Sequence, residues 1–172
     1  MQYRHTLLPL TVLTALSLTV PILAQVENSP CSTPAYRQFD FWVGQWDLTW
    51  KDGGRGANVI TRELGDCVIE ENFTTLDSIA FVGRSLSTVS RESGLWRQTW
   101  VDTQGGYLEF IGGMVGDSMI LSREAQRGDS VFLQRMVFFN ITPDSLDWSW
   151  QRSDDQGATW RPLWDIHYTR RR

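Results

Sequence analysis

The side chains able to do chemistry in this 172-residue chain are few. Glu70 and Glu71 are adjacent in an extended run, which puts one carboxylate on each face of a strand. A carboxylate that points inward needs a partner, because a buried charge is costly alone. Arg97, Arg135 and Gln98 are the candidate partners, and Glu70 with Arg135 is the expected polar end of a pocket. Glu70 would there serve as an anchor, or as the acid or base of a reaction that needs no cofactor. Taken singly, each of these charges also reads as a solvated strand-face residue.

Beyond the first few residues the only histidine is His167, in Asp165-Ile166-His167. Strand alternation sets it on the face opposite Trp164 and Tyr168, so it is poorly placed for a Ser-His-Asp triad or for axial ligation of haem. One histidine and two cysteines do not make an ordinary zinc site. No metal and no cofactor is expected. Lys51 is the sole lysine, which nearly excludes Schiff-base chemistry.

The abundant resource is tryptophan, with nine in the chain. Such a set either lines a pocket for an apolar, aromatic or glycan ligand or simply fills the core. Alternation sorts them. Trp96, Gln98 and Trp100 share one face against Arg97 and Thr99; Leu146, Trp148 and Trp150 share another; Trp160, Pro162, Trp164, Ile166 and Tyr168 align on the last strand. The expected ligand contacts are Trp96, Gln98, Trp100, Trp148 and Trp150, with Glu70 and Arg135 as polar anchors. Trp42 and Trp46 are expected to pack a closed end.

The elements that must position these residues are strands. Short runs rich in Val, Ile, Phe, Trp and Thr, separated by Gly, Asp, Asn and Ser, predict strands at 41–50, 57–64, 67–75, 79–89, 95–102, 106–113, 118–124, 130–140, 145–152 and 159–169. A helical turn is expected near 33–39, with Ser32 or Thr33 as cap and Pro34 at its first position. Asp-Ser-apolar triplets at Asp77, Asp117, Asp129 and Asp144 mark hairpin exits, since both side chains bond locally to backbone. Ten short strands with tight turns imply an antiparallel meander closed as a barrel or folded as a two-sheet sandwich.

Residues 1–24 read as a signal peptide, with Arg4 and His5 before the apolar run Leu7–Leu23 and Ala24 at the cleavage point. Residues 25–38 then form a lead segment and 39–172 the barrel domain. The expected location is periplasmic or secreted, with no stable membrane insertion after cleavage. Sixteen basic against 20 acidic residues give a net charge of −4, which argues against nucleic acid as a partner. In an exported chain the pair Cys31 and Cys67 favours a disulfide over two buried thiols.

Two local motifs carry less than they suggest. Ser153-Asp154-Asp155-Gln156-Gly157-Ala158-Thr159-Trp160 matches the Asp-box of sialidases and other propellers, where the box is structural and repeated; here it predicts one hairpin. Gly116-Asp117-Ser118 and Gly128-Asp129-Ser130 resemble the Gly-Asp-Ser block of lipolytic hydrolases but lack the α/β context that block needs, and read as turns.

Gly44-Gln45-Trp46, on a first strand after a helical turn, resembles the Gly-X-Trp signature of lipocalins and the wider calycin group. More specifically, Phe39-Asp40-Phe41-Trp42-Val43-Gly44-Gln45-Trp46-Asp47 is similar to the opening of a family of exported bacterial proteins of uncharacterised function. The likeness extends to Gly65–Glu71, Trp96–Asp102 and the Asp-box with Tyr168, over most of residues 35–169. It implies an up-and-down lipocalin-like barrel and no assigned reaction. The expected function is binding of a small apolar or aromatic molecule in a Trp-lined cavity. The alternatives are a cofactor-free isomerase, cyclase or hydratase using the same cavity, and a structural barrel with a filled interior.

Overall fold

The computed structural model describes residues 30–172, so the expected signal peptide lies outside the described residues. Ten antiparallel strands run in sequence order around a closed barrel: β1 (Gly44–Trp50), β2 (Arg55–Glu63), β3 (Val68–Thr75), β4 (Val82–Val89), β5 (Trp96–Asp102), β6 (Tyr107–Val115), β7 (Ser118–Arg127), β8 (Ser130–Phe139), β9 (Ser145–Ser153) and β10 (Arg161–Arg170). β10 pairs with β1, with Trp46 opposite Arg170, and this seam removes both sheet edges. Among the described residues no helix is long and apolar enough to cross a membrane.

Alternation drives the closure. Along β3, Ile69, Glu71, Phe73 and Thr75 are buried while Val68, Glu70, Asn72 and Thr74 stay partly exposed. Gly116 and Gly128, each at φ +58°, supply the left-handed position in the tight β6–β7 and β7–β8 turns. Strands begin at Ser118, Ser130 and Ser145, as three of the Asp-Ser triplets predict. The fourth does not open a strand: β4 starts only at Val82, and Ile79 lies in the loop, 88% exposed.

One end of the barrel is plugged. A 3₁₀ turn at Pro34–Arg37 follows Thr33, whose carbonyl accepts the Tyr36 N–H at 3.0 Å although its hydroxyl makes no cap. Cys31 and Cys67 form a disulfide that ties this lead segment to the start of β3. Phe39 and Trp42, both essentially inaccessible, stack under the barrel; Phe39 meets the Trp96 ring edge-on at 4.7 Å and Phe138 at 5.5 Å. Arg62 pairs with Asp40 on the rim of this plug. The opposite end, fringed by the β3–β4, β5–β6 and β9–β10 loops, is the mouth.

Candidate ligand cavity

A cavity of about 180 Å³ runs inward from the mouth. Its upper wall is aromatic because inward positions of β5, β9 and β10 fall on Trp100, Trp148, Trp150 and Trp164. These rings meet edge to face: Trp148 on Trp164 at 6.0 Å, Phe73 on Trp164 at 5.8 Å, Phe110 on Trp150 at 5.5 Å. Such edge-to-face contacts hold each ring in one orientation.

Two residues set the Trp100 ring. Its indole N–H donates to Asp102 Oδ2 at 2.9 Å, while Asp102 Oδ1 accepts the backbone N–H groups of Gln104 and Gly106 at 2.8 and 2.9 Å. Burial opposes ionisation of Asp102, but these donors prevail and hold its carboxyl below the usual range. Gly83, across from β5, is the second: a Cβ there would collide with the Trp100 ring, so glycine lets the indole lie flat on β4.

The floor is polar and buried. Glu71 is buried and lines the cavity with Tyr168 and Trp42. Glu71 Oε2 accepts the Ser85 hydroxyl at 2.6 Å and Oε1 accepts Asn58 Nδ2 at 2.7 Å. The Asn58 amide also reaches the Tyr168 oxygen at 3.3 Å, and Gln98 donates to Ser85 and Ser87 at 3.2 and 3.1 Å. Burial pushes the Glu71 carboxyl up to about 7 against the lowering effect of Ser85 and Asn58. Burial, then the nearby Glu71 charge, raises the Tyr168 phenol well above its ordinary value.

Of the seven residues expected as contacts, three meet here: Trp100, Trp148 and Trp150 line the cavity. Trp96 is buried below the floor, packed on Phe39 with its N–H donating to Gln38 at 3.1 Å. Gln98 belongs to the layer behind Glu71 rather than to the wall. Glu70 is a correction: it takes the outer face of β3, accepting Asn72 Nδ2 at 3.3 Å, because its neighbour Glu71 shares the inward parity of Ile69 and Phe73. Arg135 is another, since Met136 and Phe138 claim the inner face of β8. Arg135 lies outside, donating to Gln151 at 2.7 Å with its guanidinium 4.0 Å over the Trp160 ring.

That stacking exposes a third departure. Pro162 and Trp164 lie on opposite sides of a register shift in β10, so Trp160 and Pro162 do not share the inward face of Trp164, Ile166 and Tyr168. The Asp-box forms the β9–β10 hairpin: Asp155 accepts the Thr159 hydroxyl and N–H and the Ser153 hydroxyl, which hold its carboxyl down at about 2. His167 is exposed on the outer face, its Nδ1 2.7 Å from Asp147 Oδ1. Glu71, Asn58 and Tyr168 are the residues that sequence reasoning missed as a group. The signal was present in the parity of Ile69 and Phe73.

No protein-family model matches this chain, and no curated protein matches its sequence.

Proposed function

We propose that this protein is an exported barrel that binds a small apolar or aromatic molecule in the Trp-lined cavity. The observation that carries this reading is the wall itself, in which Trp100, Trp148, Trp150, Trp164, Phe73 and Phe110 stand over a polar floor at Glu71 and Tyr168. Concave apolar sites with a few convergent polar groups are the usual form of small-molecule sites. The volume fits a single ring with a short substituent, since roughly 150 Å³ of apolar cavity accommodates benzene. Export is supported by the signal-like sequence of residues 1–24 and by the disulfide, which persists in oxidising compartments.

The test is native mass spectrometry of protein purified from its own host, followed by titration with one-ring aromatics. A retained or saturably bound small molecule is the expected result. Failure to retain or bind any member of a broad aromatic and lipid panel would remove this reading.

A cofactor-free enzyme is the second reading, favoured by one feature: Glu71, rather than Glu70, is a buried carboxyl that changes charge near neutral pH at the edge of the same cavity. Under this reading Glu71→Gln abolishes turnover of a cavity-sized substrate while the barrel stays folded.

A further inference from the structure

The hydrogen-bond inventory of the cavity floor does not close on itself. The Tyr168 oxygen accepts the Asn58 amide at 3.3 Å, yet among the described residues its own O–H meets no acceptor. The Trp42 indole N–H, 1% exposed, lies beside the Tyr168 oxygen but makes no hydrogen bond in good geometry with any described group. Both side chains line the cavity. Buried donors without acceptors are costly, and native interiors rarely keep them.

Two acceptors of the floor layer, Asn58 Oδ1 and Gln98 Oε1, also lack partners, but neither residue lines the cavity. Glu71 receives Ser85 and Asn58, one on each oxygen, and the Trp42 carbonyl accepts the Trp46 indole at 2.7 Å. Two buried donors, those of Tyr168 and Trp42, therefore line a mainly apolar space whose volume suits one aromatic ring. An oxygen atom presented from inside the cavity would satisfy both.

We propose that the Tyr168 hydroxyl and the Trp42 indole N–H form a donor pair that binds the carbonyl oxygen of a one-ring aromatic aldehyde or ketone, the ring lying among Trp100, Trp148, Trp150 and Trp164. The inference rests on the ligand-binding reading above and narrows it to a ligand class. Glu71 stands behind the pair, linked to Tyr168 through Asn58. Its neutral form avoids setting a carboxylate near the carbonyl oxygen, so binding favours the protonated floor.

The experiment titrates the full chain, refolded free of any carried ligand, with acetophenone, with its apolar analogue ethylbenzene, and with phenol. The carbonyl stretch of bound acetophenone is recorded by infrared difference spectroscopy. Acetophenone should bind about tenfold more tightly than ethylbenzene, the worth of one well-made hydrogen bond. Its carbonyl band should move to lower frequency. In Tyr168→Phe the acetophenone-to-ethylbenzene ratio should fall toward one and the band should shift back.

Equal affinities with an unshifted band would overturn the donor-pair assignment while leaving the ligand-binding reading intact. A preference for phenol over acetophenone would overturn it too, by assigning the floor to an O–H donor facing Glu71. Binding of none of the three would overturn the donor pair and its one-ring ligand class, the broader panel above deciding the ligand-binding reading itself. Should Tyr168→Phe fail to fold, the band position in the unaltered protein decides: a shifted band supports the pair and an unshifted one refutes it.

Discussion

The Arg170 guanidinium carbon stands 4.1 Å from the centre of the Trp46 ring, at the seam where the last strand meets the first. From that position Arg170 donates to the carbonyls of Val43, Phe41 and Pro143 at 2.8, 3.1 and 2.6 Å. One side chain thus joins the plug, the first strand and the β8–β9 loop. Gly44, at φ +138°, leaves room for it, because a Cβ there would strike the guanidinium.

Arg170→Ala should therefore cost about 2–3 kcal/mol, from one cation–π contact and several charge-assisted hydrogen bonds. Arg170→Lys should recover only part, since an ammonium cannot fork to three carbonyls while covering a ring. Urea unfolding of the three proteins measures this; a lysine variant as stable as the parent would show that charge alone suffices.

The plug is held covalently as well. The Cys31–Cys67 bridge closes 36 positions, and the chain-entropy model assigns such a loop about 4 kcal/mol. The double change Cys31→Ser with Cys67→Ser should lower stability by that order, with the largest loss of amide protection over residues 31–43. Hydrogen exchange under native conditions reports it.

Glu71 makes stability depend on pH in a direction opposite to that of a paired surface carboxylate. Its folded value of about 7 exceeds the ordinary 4.5, so between these two the folded chain holds more protons than the unfolded one. Stability from this group is complete below pH 4.5, falls as pH rises to about 7, and is level above; the whole change is at most about 3 kcal/mol. In Glu71→Gln the fall should vanish. Chemical unfolding of both proteins from pH 4 to 8 gives the comparison.

Gly83 tests the upper wall. Gly83→Val would drive the Trp100 indole off β4 and break its bond to Asp102. The change should cost about 1–3 kcal/mol through overpacking. It should also weaken binding of any one-ring ligand, read by titration of tryptophan fluorescence.

The strands were legible in the sequence for a physical reason: short apolar runs between tight turns mark them. Alternation alone left a barrel or a two-sheet sandwich, and the resemblance of Phe39–Asp47 pointed to the barrel. The same alternation puts Trp100 on one face of β5, and Trp148 with Trp150 on one face of β9, and these are the faces that line the cavity. It failed where alternation itself breaks. The register shift between Pro162 and Trp164 reverses the face of Trp160, and nothing in Arg161-Pro162-Leu163-Trp164 signals a bulge beyond the proline. Trp96 shares the parity of Trp100, but depth along a strand is not encoded in parity; the plug of Phe39 and Trp42 takes that level. Arg135 was ambiguous because β8 is apolar on both faces, the outer one covered in part by the Asp-box hairpin through Trp160. The polar floor is assembled from β2, β3, β4 and β10, and only the closed sheet brings Asn58, Glu71, Ser85 and Tyr168 together.

The central claim is that the Trp-lined cavity is the binding site. Indole N–H resonances resolve the tryptophans individually, so acetophenone titration followed by nitrogen–proton correlation spectroscopy tests it most directly. Saturable, one-to-one shifts at Trp100, Trp148, Trp150 and Trp164, with Trp96 little changed, are the predicted result. Shifts confined to residues outside the cavity, or no saturable shift at any indole, would contradict it.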